Sequence, residues 1–362
     1  MKTLEPEVIV TCLKRRFSGV SATIDVLLAP LGARVGLGYL GVSLPVMSAA
    51  TGAPRLRRLS LLEAIGLSRR RLPDGRRRIW HVRRNAEMLL ALVVRDVLRC
   101  PVSVVFTSAG IRRHSFFPRL LIARMDAVIA TSPAAAALVP NVAAVVGHGV
   151  DVQRFHPQGS PLEAWASSGL PGKIGVGIFG RVRHEKGVHL FVEALLPLMA
   201  QHPDVTAVLV GLCKPADAAF VDGLRRQIDA AGLSERFIWT GERPFDEMPT
   251  WHRRMLVTVA CPLYEGFGLT PIEAMASGAA VVASRTGAFE SMIVDGQTGR
   301  LVPTGDVRAL TEALGSILAD TSAAVEMGRR GRARVETHFA ADAEAAAIEG
   351  VYRDVWARDA RA

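Results

Sequence analysis

Short and almost uninterrupted apolar runs alternate with helical stretches along the 362-residue chain, and this alternation constrains the fold more than any other feature. Strands that are buried on both faces of a parallel sheet are apolar along their whole length. Strands are predicted at residues 8–13, 78–82, 102–107, 127–130, 143–147, 173–180, 206–210, 237–240, 256–260, 280–283 and 300–302. The pattern predicts an α/β protein built on parallel sheets with right-handed crossovers.

Helices are predicted between these strands, and a linker is predicted near the middle of the chain. The helices are expected at residues 85–98, 116–124, 187–201, 217–231, 271–276 and 307–318, with an alanine-rich helical segment at 321–356. Residues 158–172 are rich in Gly, Ser and Pro, a composition typical of a linker. We therefore expect one domain over residues 1–165, a second over residues 173–340, and a final helix within 341–362 that packs back on the first domain.

The apolar runs and the cysteines argue against a membrane-spanning or disulfide-bonded protein. No run reaches the roughly 18 residues that a span needs, and residues 1–10 lack a signal-peptide pattern, so a cytosolic protein is expected. The four cysteines, Cys12, Cys100, Cys213 and Cys261, are widely separated, which fits neither a zinc site nor a disulfide framework. They are interpreted as buried reduced thiols.

The formal net charge of +10 is concentrated in one block. Between Arg55 and Arg84 there are eleven arginines and only two acids, Glu63 and Asp74, so the rest of the chain is near neutral. Such a block indicates an anionic partner, namely nucleic acid, an anionic membrane surface or a phosphorylated acceptor, with a solvated loop as the alternative. Nucleic acid is disfavoured, because no binding motif accompanies the block and aromatic residues make up only 6% of the chain.

The strongest local motif is CPLYEGFGLTPIEAM at residues 261–275. A predicted strand ends before it and a helix begins near Pro271, so the glycine-containing loop brings backbone N–H groups and a helix N-terminus towards a ligand. Its two carboxylates, Glu265 and Glu273, lie at one loop-to-helix junction, where they could grip two ligand hydroxyl groups. The alternatives are a solvated carboxylate for Glu265 and, for Glu273, a capping box with Thr270 as the N-cap residue.

A second motif, FGRVRHEKG at residues 179–187, also joins an apolar strand to a helix. Arg181 can bind phosphate oxygens with its planar fork, and Lys186 can add a point charge. Solvated basic residues at a helix start are the alternative. Helix starts favour acids, however, so basic residues here favour a functional role.

Other modes of nucleotide binding are disfavoured. The segment GLGYLG at residues 36–41 matches the dinucleotide fingerprint, but Pro45 follows too soon for a helix, and Pro30 interrupts the apolar stretch before it. The chain contains neither Asp-x-Asp nor a P-loop motif, so no metal ion is expected at the site.

Two weaker candidates lie in the N-terminal half. His114 follows the strand at 102–107, where a surface histidine is the alternative. Gly19 follows the first strand, where its loop could bring backbone amides to a phosphate. His148, flanked by two glycines, indicates a tight turn near a strand end.

Together these motifs resemble the retaining glycosyltransferases of family 4, which have the GT-B fold. That resemblance implies two Rossmann-like domains with parallel sheets that face a central cleft. The matching segments are Gly180-Arg181 with Lys186-Gly187, the Glu265 and Glu273 pair, EAMASG at 273–278, VVA at 281–283, and DGQTGRLVP at 295–303. The departures are Ala280, where proline is usual, and Thr286-Gly287, where a double glycine is usual.

The resemblance also implies roles for individual residues. Arg181 and Lys186 would bind and stabilise the departing donor diphosphate, Glu265 would contact the sugar hydroxyls, and Glu273 would bind the ribose. The implied catalytic residues are Glu265, Arg181, Lys186 and His114. The implied donor-binding residues are Gly19, Arg181, Lys186, Glu265, Gly266, Phe267, Gly268, Leu269 and Glu273.

The N-terminal half more narrowly resembles lipopolysaccharide core mannosyltransferases, through KRRFSGV at 14–20, IWHVRRNAEM at 79–88, RDVLR at 95–99, FTSA at 106–109 with RRH at 112–114, and MDAVIATS at 125–132. This implies GDP-mannose as the donor, a Kdo-bearing lipid A core as the acceptor, and no cofactor. The arginines between Arg55 and Arg84 would then hold the enzyme at the cytoplasmic face of an anionic inner membrane. Other hexosyl or heptosyl donors, carried on UDP or ADP, remain the alternatives.

Overall fold

The computed structural model describes residues 5–14, 19–44 and 55–361. The chain forms two compact units, the first from residues up to Gly149 together with those from Phe339 onward, and the second from Val150–His338. The predicted linker at 158–172 is therefore wrong, because it lies inside the second unit. Trp165 in this segment is fully buried, and a Cβ atom on Gly175 would lie only 2.3 Å from its ring.

Unit 1 contains a parallel sheet. Its strands among the described residues are β1 Val8–Cys12, β2 Leu37–Gly41, β3 Leu56–Leu59, β4 Arg78–Val82, β5 Val102–Ser108, β6 Ala127–Ala130 and β7 Val142–Val145. They lie in the order β3-β2-β1-β4-β5-β6-β7. The GLGYLG segment is thus mostly a strand, which the sequence did not predict. A Cβ atom on Gly41 would lie 2.3 Å from the Cys12 carbonyl oxygen, so its glycines reflect close strand packing.

Helices cover both faces of this sheet. They are α1 Gly19–Arg34, α2 Leu61–Ser68, α3 Asn85–Leu92 with a π-helical turn Val93–Val97, α4 Phe116–Ile122, α5 Pro133–Ala136, and the C-terminal helix Ala341–Asp359. Helix α1 and the C-terminal helix share one core with β1 and β2. Helices α2, α3 and α4 contribute to a second core around β4 and β5.

Unit 2 contains a second parallel sheet. Its strands are β8 Ile174–Phe179, β9 Val205–Val210, β10 Phe237–Gly241, β11 Met255–Ala260, β12 Ala280–Ser284 and β13 Arg300–Val302, in the order β10-β9-β8-β11-β12-β13. Its α-helices are α6 Pro161–Ala166, α7 Val188–Gln201, α8 Ala218–Ala230, α9 Met248–Arg254, α10 Thr270–Ala276, α11 Phe289–Met292, α12 Val307–Leu318 and α13 Thr321–His338. The single helical segment predicted at 321–356 is two helices, and α13 belongs to unit 2 while the C-terminal helix belongs to unit 1.

The arginines between Arg55 and Arg84 do not form one solvated block. Arg78 is fully buried, where its guanidinium donates to the Pro6 carbonyl oxygen at 2.7 Å and pairs with Glu5 at 2.5 Å. Arg83 is 8% exposed and donates to the Thr23 hydroxyl. These two side chains are buried within unit 1 and are not available to an anionic surface, whereas Arg69, Arg70 and Arg71 are exposed.

The cysteines are free thiols, as predicted. Cys12, Cys100 and Cys261 are buried, and Cys213 is half-buried. Within residues 5–14, 19–44 and 55–361, no helix has the length and apolar character needed to cross a membrane.

Candidate active site

The two central strands of unit 2 define the crevice in which a ligand is expected. Strands β8 and β11 are parallel neighbours, and the strand order reverses direction between them. In open α/β sheets, ligands bind at the carboxyl ends of the strands at such a switch point. The loops that follow these two strands carry both of the motifs found in the sequence.

These two loops are joined by direct backbone contacts. The Leu263 N–H donates to the Glu185 carbonyl oxygen at 3.0 Å. Gly187 has a φ of 73°, and a Cβ atom there would lie 1.9 Å from the Cys261 carbonyl oxygen. Glycine is therefore required at position 187, because it allows both the left-handed conformation and the close approach of the two loops.

The loop contact brings Lys186 and Glu265 together. The Lys186 Nζ lies 2.5 Å from Glu265 Oε2, and the two side chains are 25% and 21% exposed. The other carboxylate oxygen of Glu265 accepts a hydrogen bond from the Gly266 N–H at 3.0 Å. Glu265 is therefore an ion-paired, half-buried carboxylate rather than a freely solvated one.

Arg181 lies just beyond the end of β8. Its side chain is exposed, and within the described part of the chain no hydrogen bond or ion pair to it is found. Arg181 therefore provides an exposed cation on the loop that also carries Lys186.

Glu273 does not form the capping box that its sequence context suggests. Helix α10 begins at Thr270, its cap residue Leu269 is itself in the right-handed helical region, and no side-chain cap bond is present. The Glu273 N–H donates to the Leu269 carbonyl oxygen instead. A capping side chain needs an extended residue before the helix, so the Glu273 carboxylate is left for another partner.

The Glu273 carboxylate lies close to His252 on α9, a residue that the sequence did not indicate. His252 Nε2 lies 3.8 Å from Glu273 Oε2, and the two side chains are 1% and 17% exposed. Burial raises the pKa of Glu273 to about 7, an effect that nearby Arg154 partly opposes. Burial lowers the pKa of His252 to about 3. No local pattern could have found this contact, because it joins separate helices.

The backbone of the Glu265 loop is held by neighbouring elements. Gly268 has a φ of 80°, and a Cβ atom there would lie 2.4 Å from the Phe289 ring. Phe267 is buried. The Ser284 hydroxyl, at the end of β12, donates to the Pro262 carbonyl oxygen at 3.0 Å. The amide groups of Gly266, Phe267, Gly268 and Leu269 therefore belong to a loop that packing fixes in place.

The N-terminal candidates lie in unit 1. Gly19 is the first residue of α1, and a Cβ atom there would meet no atom within 4 Å; residues 15–18 of its loop lie outside the described residues. His114 lies between β5 and α4, and its Nε2 is buried without a hydrogen-bond partner in the described structure. Burial, with a smaller effect of Arg112, lowers the pKa of His114.

His148 has a structural contact. Its Nδ1 lies 2.9 Å from Glu344 Oε1, and the Gly149 N–H donates to the other oxygen of Glu344 at 2.8 Å. Glu344 is on the C-terminal helix, so these bonds join that helix to His148 and Gly149, where the N-terminal part of unit 1 ends.

Comparison with known proteins identifies the family. The family model described as glycosyl transferases group 1 matches residues 166–334. A lipopolysaccharide core biosynthesis mannosyltransferase of Rhizobium leguminosarum bv. viciae is 43% identical, over 96% of each chain. A protein of the same description from Rhizobium meliloti is 40% identical, over 96% of this chain and 97% of the relative.

The fold is also found in a solved structure. The Anabaena protein HepE, in complex with UDP and glucose, superposes with a TM-score of 0.77 over 96% of this chain and 99% of its own, at 18% identity. The chain therefore has the GT-B fold and belongs to the group 1 glycosyltransferases. It is an enzyme that transfers a hexosyl group.

Proposed function

We propose that this enzyme transfers mannose from GDP-mannose to a lipopolysaccharide core acceptor that bears Kdo and lipid A. The proposal is supported by the two relatives that share 43% and 40% identity over nearly the whole chain and are described as core mannosyltransferases. The observation that carries the proposal of a nucleotide-sugar site is the Lys186–Glu265 pair at the switch point of unit 2, with Arg181 on the same loop as Lys186.

Each charged group at the switch point has a role that suits its environment. Arg181 and Lys186 bind the diphosphate and stabilise the negative charge that develops as it departs. Glu265 binds sugar hydroxyls while it stays paired with Lys186. The amides of Gly266, Phe267, Gly268 and Leu269 line the sugar and phosphate, and Glu273 takes the ribose hydroxyls.

The reaction proceeds with retention of the anomeric configuration. The bond between the sugar C1 and the phosphate oxygen breaks, and the acceptor oxygen bonds to C1 on the same face. The acceptor proton passes to the leaving phosphate oxygen, so no protein nucleophile is needed. The proposal assigns two protein cations, Arg181 and Lys186, to the diphosphate and includes no metal ion or cofactor. A sugar-contacting role for His114 and a phosphate-contacting role for Gly19 remain predictions from the sequence resemblance.

A panel of sugar nucleotides tests the donor. Thermal stabilisation and hydrolysis should be measured with GDP-mannose and with UDP- and ADP-linked hexoses and heptoses. We expect a response to GDP-mannose. A response to UDP- or ADP-sugars alone would establish another hexosyl or heptosyl donor. The anomeric configuration of the product, measured by NMR, tests retention.

We further propose that the enzyme acts at the cytoplasmic face of an anionic inner membrane, and that one helical face of unit 1 meets the bilayer. Among the described residues, nine of the eleven exposed large apolar side chains lie on or beside α2, α3 and α4: Leu61, Leu62, Leu89, Val93, Val97, Leu98, Phe116, Phe117 and Leu120. None of the eleven lies on α1 or the C-terminal helix, which pack on the other core.

The charges on this helical face suit an anionic surface. Arg69, Arg70 and Arg71 follow α2, and Arg112 and Arg113 precede α4, and all five are exposed. Exposed apolar side chains among cations fit a bilayer interface, where each basic residue contributes about 1 kcal/mol of attraction. The proposed membrane surface therefore consists of these exposed side chains and not of all the arginines from Arg55 to Arg84, because part of that block is buried.

Vesicle co-sedimentation tests this surface. Phosphatidylcholine vesicles with and without phosphatidylglycerol should be compared for the wild type, for the triple variant F116S/F117S/L120S and for R69Q/R70Q/R71Q. We expect anionic vesicles to bind the wild type, and both variants to bind more weakly with unchanged donor hydrolysis. If the protein binds RNA as tightly as it binds anionic vesicles, the alternative of a nucleic-acid-binding protein gains support. Unchanged binding by both variants contradicts the proposed surface.

A further inference from the structure

We propose that His252 is a positioning residue for the donor, which donates a hydrogen bond from Nε2 to Glu273 when a ribose occupies that carboxylate. This inference rests on the proposed role of Glu273 as the ribose-binding group. It concerns a buried histidine that lies outside both charged motifs and that the reaction described above does not use.

Two aromatic rings pack against the buried His252 ring. It stacks on Phe179 with a centroid distance of 3.9 Å and an interplanar angle of 21°. Phe155 approaches edge-on, with its centroid at 5.9 Å. Neither ring nitrogen has a hydrogen-bond partner in the described structure, although the residue is only 1% exposed. The aromatic contacts therefore fix the ring plane and leave Nε2 near Glu273.

The 3.8 Å separation between His252 Nε2 and Glu273 Oε2 is too long for a hydrogen bond. A closing movement of about 0.8 Å would form one with ordinary geometry. Buried polar groups usually have partners, and an unpaired one is costly. A neutral imidazole carries one N–H, so the Nε2–H tautomer can donate to a carboxylate without bringing a second charge into the site.

Ribose binding provides the reason for this bond to form. Two ribose hydroxyls donate best to an ionised carboxylate, so the donor favours the charged form of Glu273. His252 would hold Oε2 and leave Oε1 directed at the ribose. The charged group that acts on Glu273 from another segment is Arg154, whose guanidinium lies 4.2 Å from the centre of the Phe245 ring. The neighbouring residue of β8, Phe179, is uncharged. Arg253, which lies on α9 next to His252, donates to the His156 carbonyl oxygen.

Two substitutions separate the hydrogen bond from the packing. His252→Phe keeps an aromatic ring against Phe179 and removes the donor. His252→Gln places an amide N–H near the position of Nε2 and removes the ring. His252→Asn places its amide near Nδ1, which faces away from Glu273, so it serves as a polar control of similar size.

Calorimetric titration with GDP from pH 6 to pH 9 tests the proposal. At pH 7, His252→Phe and His252→Asn should bind GDP about tenfold more weakly than the wild type, and His252→Gln should bind within about threefold. The rise of GDP affinity with pH should move to higher pH in the Phe variant. At saturating donor, kcat should stay within about threefold of the wild type.

A second ligand identifies the ribose as the cause. Loss of both hydroxyls in 2′,3′-dideoxy-GDP should weaken binding to the wild type more than to His252→Phe, because the Phe variant has already lost the bond that supports them. Equal GDP affinities and equal pH profiles for the Phe, Gln and wild-type proteins would overturn the role of His252. If the wild type itself binds no nucleotide, the proposed function fails instead, so the two failures are distinguishable. Should the Phe variant not fold, the Asn and Gln pair decides.

Discussion

Glu265 and Glu273 lie eight positions apart in one motif, yet the structure places them in opposite kinds of surroundings. Glu265 is on a loop and is ion-paired with Lys186 at 2.5 Å. Glu273 is in the first turn of α10, near a neutral buried histidine at 3.8 Å, and its pKa is raised to about 7. In the proposed donor site, one carboxylate is therefore already ion-paired and the other is sensitive to pH.

Two acids of one motif can therefore differ in how their charge is compensated. The partner of Glu265 comes from the adjacent strand β8, so its charge is compensated before any ligand arrives. Glu273 has little compensation, since burial dominates its pKa, and it gains most from a ligand that donates hydrogen bonds. The following predictions test that contrast.

The largest effect is expected at the two proposed phosphate-binding cations, Arg181 and Lys186. Arg181→Ala and Lys186→Ala should each reduce kcat about a thousandfold, because in the proposed function each of these charges stabilises the departing diphosphate. Thermal unfolding of Arg181→Ala should be unchanged, since its side chain is exposed. Lys173→Ala, an exposed lysine paired with Asp204, is the matched control and should retain full turnover. Wild-type turnover in both site variants would contradict the assignment.

Glu265→Gln should reduce kcat about a hundredfold, because it removes the counterion of Lys186 and weakens the proposed contact with the sugar. The double variant K186A/E265Q should be less impaired than the product of the two single effects, since each single change already breaks the pair. Steady-state kinetics of the four proteins gives the coupling. Strictly multiplicative effects would show that the two groups act independently.

Gly187→Ala should affect the surroundings of Glu265 but not those of Glu273, and it should lower the stability of the fold. A methyl group there is directed at the Cys261 carbonyl oxygen, so the substitution should destabilise unit 2 by more than about 2 kcal/mol. It should disturb the Lys186–Glu265 contact and leave Glu273 in place. Urea unfolding measures the first effect. Gly296→Ala has a similar positive φ of 75° but meets no atom within 4 Å, and it serves as the control for backbone strain alone.

The smallest effect concerns the pH dependence of folding at Glu273. Its folded pKa of about 7 lies above the unfolded value, so the folded state binds more protons between roughly pH 4.5 and pH 7. Wild-type stability should therefore fall as pH rises through that window. Glu273→Gln should remove this loss, so its free energy of unfolding should decrease less than that of the wild type between pH 4 and pH 8.

His252 should act in the opposite direction. Its folded pKa of about 3 lies below the unfolded value, so the unfolded state takes up the proton first as pH falls below about 6.5. His252→Phe should therefore be less sensitive to acid than the wild type. Denaturant unfolding of both variants from pH 4 to pH 8 measures the two slopes, and parallel slopes for all three proteins would contradict the pKa directions.

Much of the fold was predictable because strands buried in parallel sheets are apolar throughout. The central strands of both sheets, such as β5, β8 and β11, lie where the sequence predicts them. Helix α1 and strand β2 were missed, because Pro30 and a run of glycines obscured them. The domain boundary was misplaced because Gly, Ser and Pro between residues 158 and 172 imitate a linker, although Trp165 there is buried.

The sequence by itself determined the class of site, since the glycines, basic residues and acids of the two motifs are local and follow predicted strands. Only the tertiary structure decided their surroundings. Lys186 and Glu265 are 79 residues apart, and they meet because β8 and β11 are neighbours. His252 faces Glu273, and Arg78 is buried against Glu5, through the packing of separate elements. Local spacing carries no information about such contacts, because long-range packing fixes burial and therefore the charge of each group.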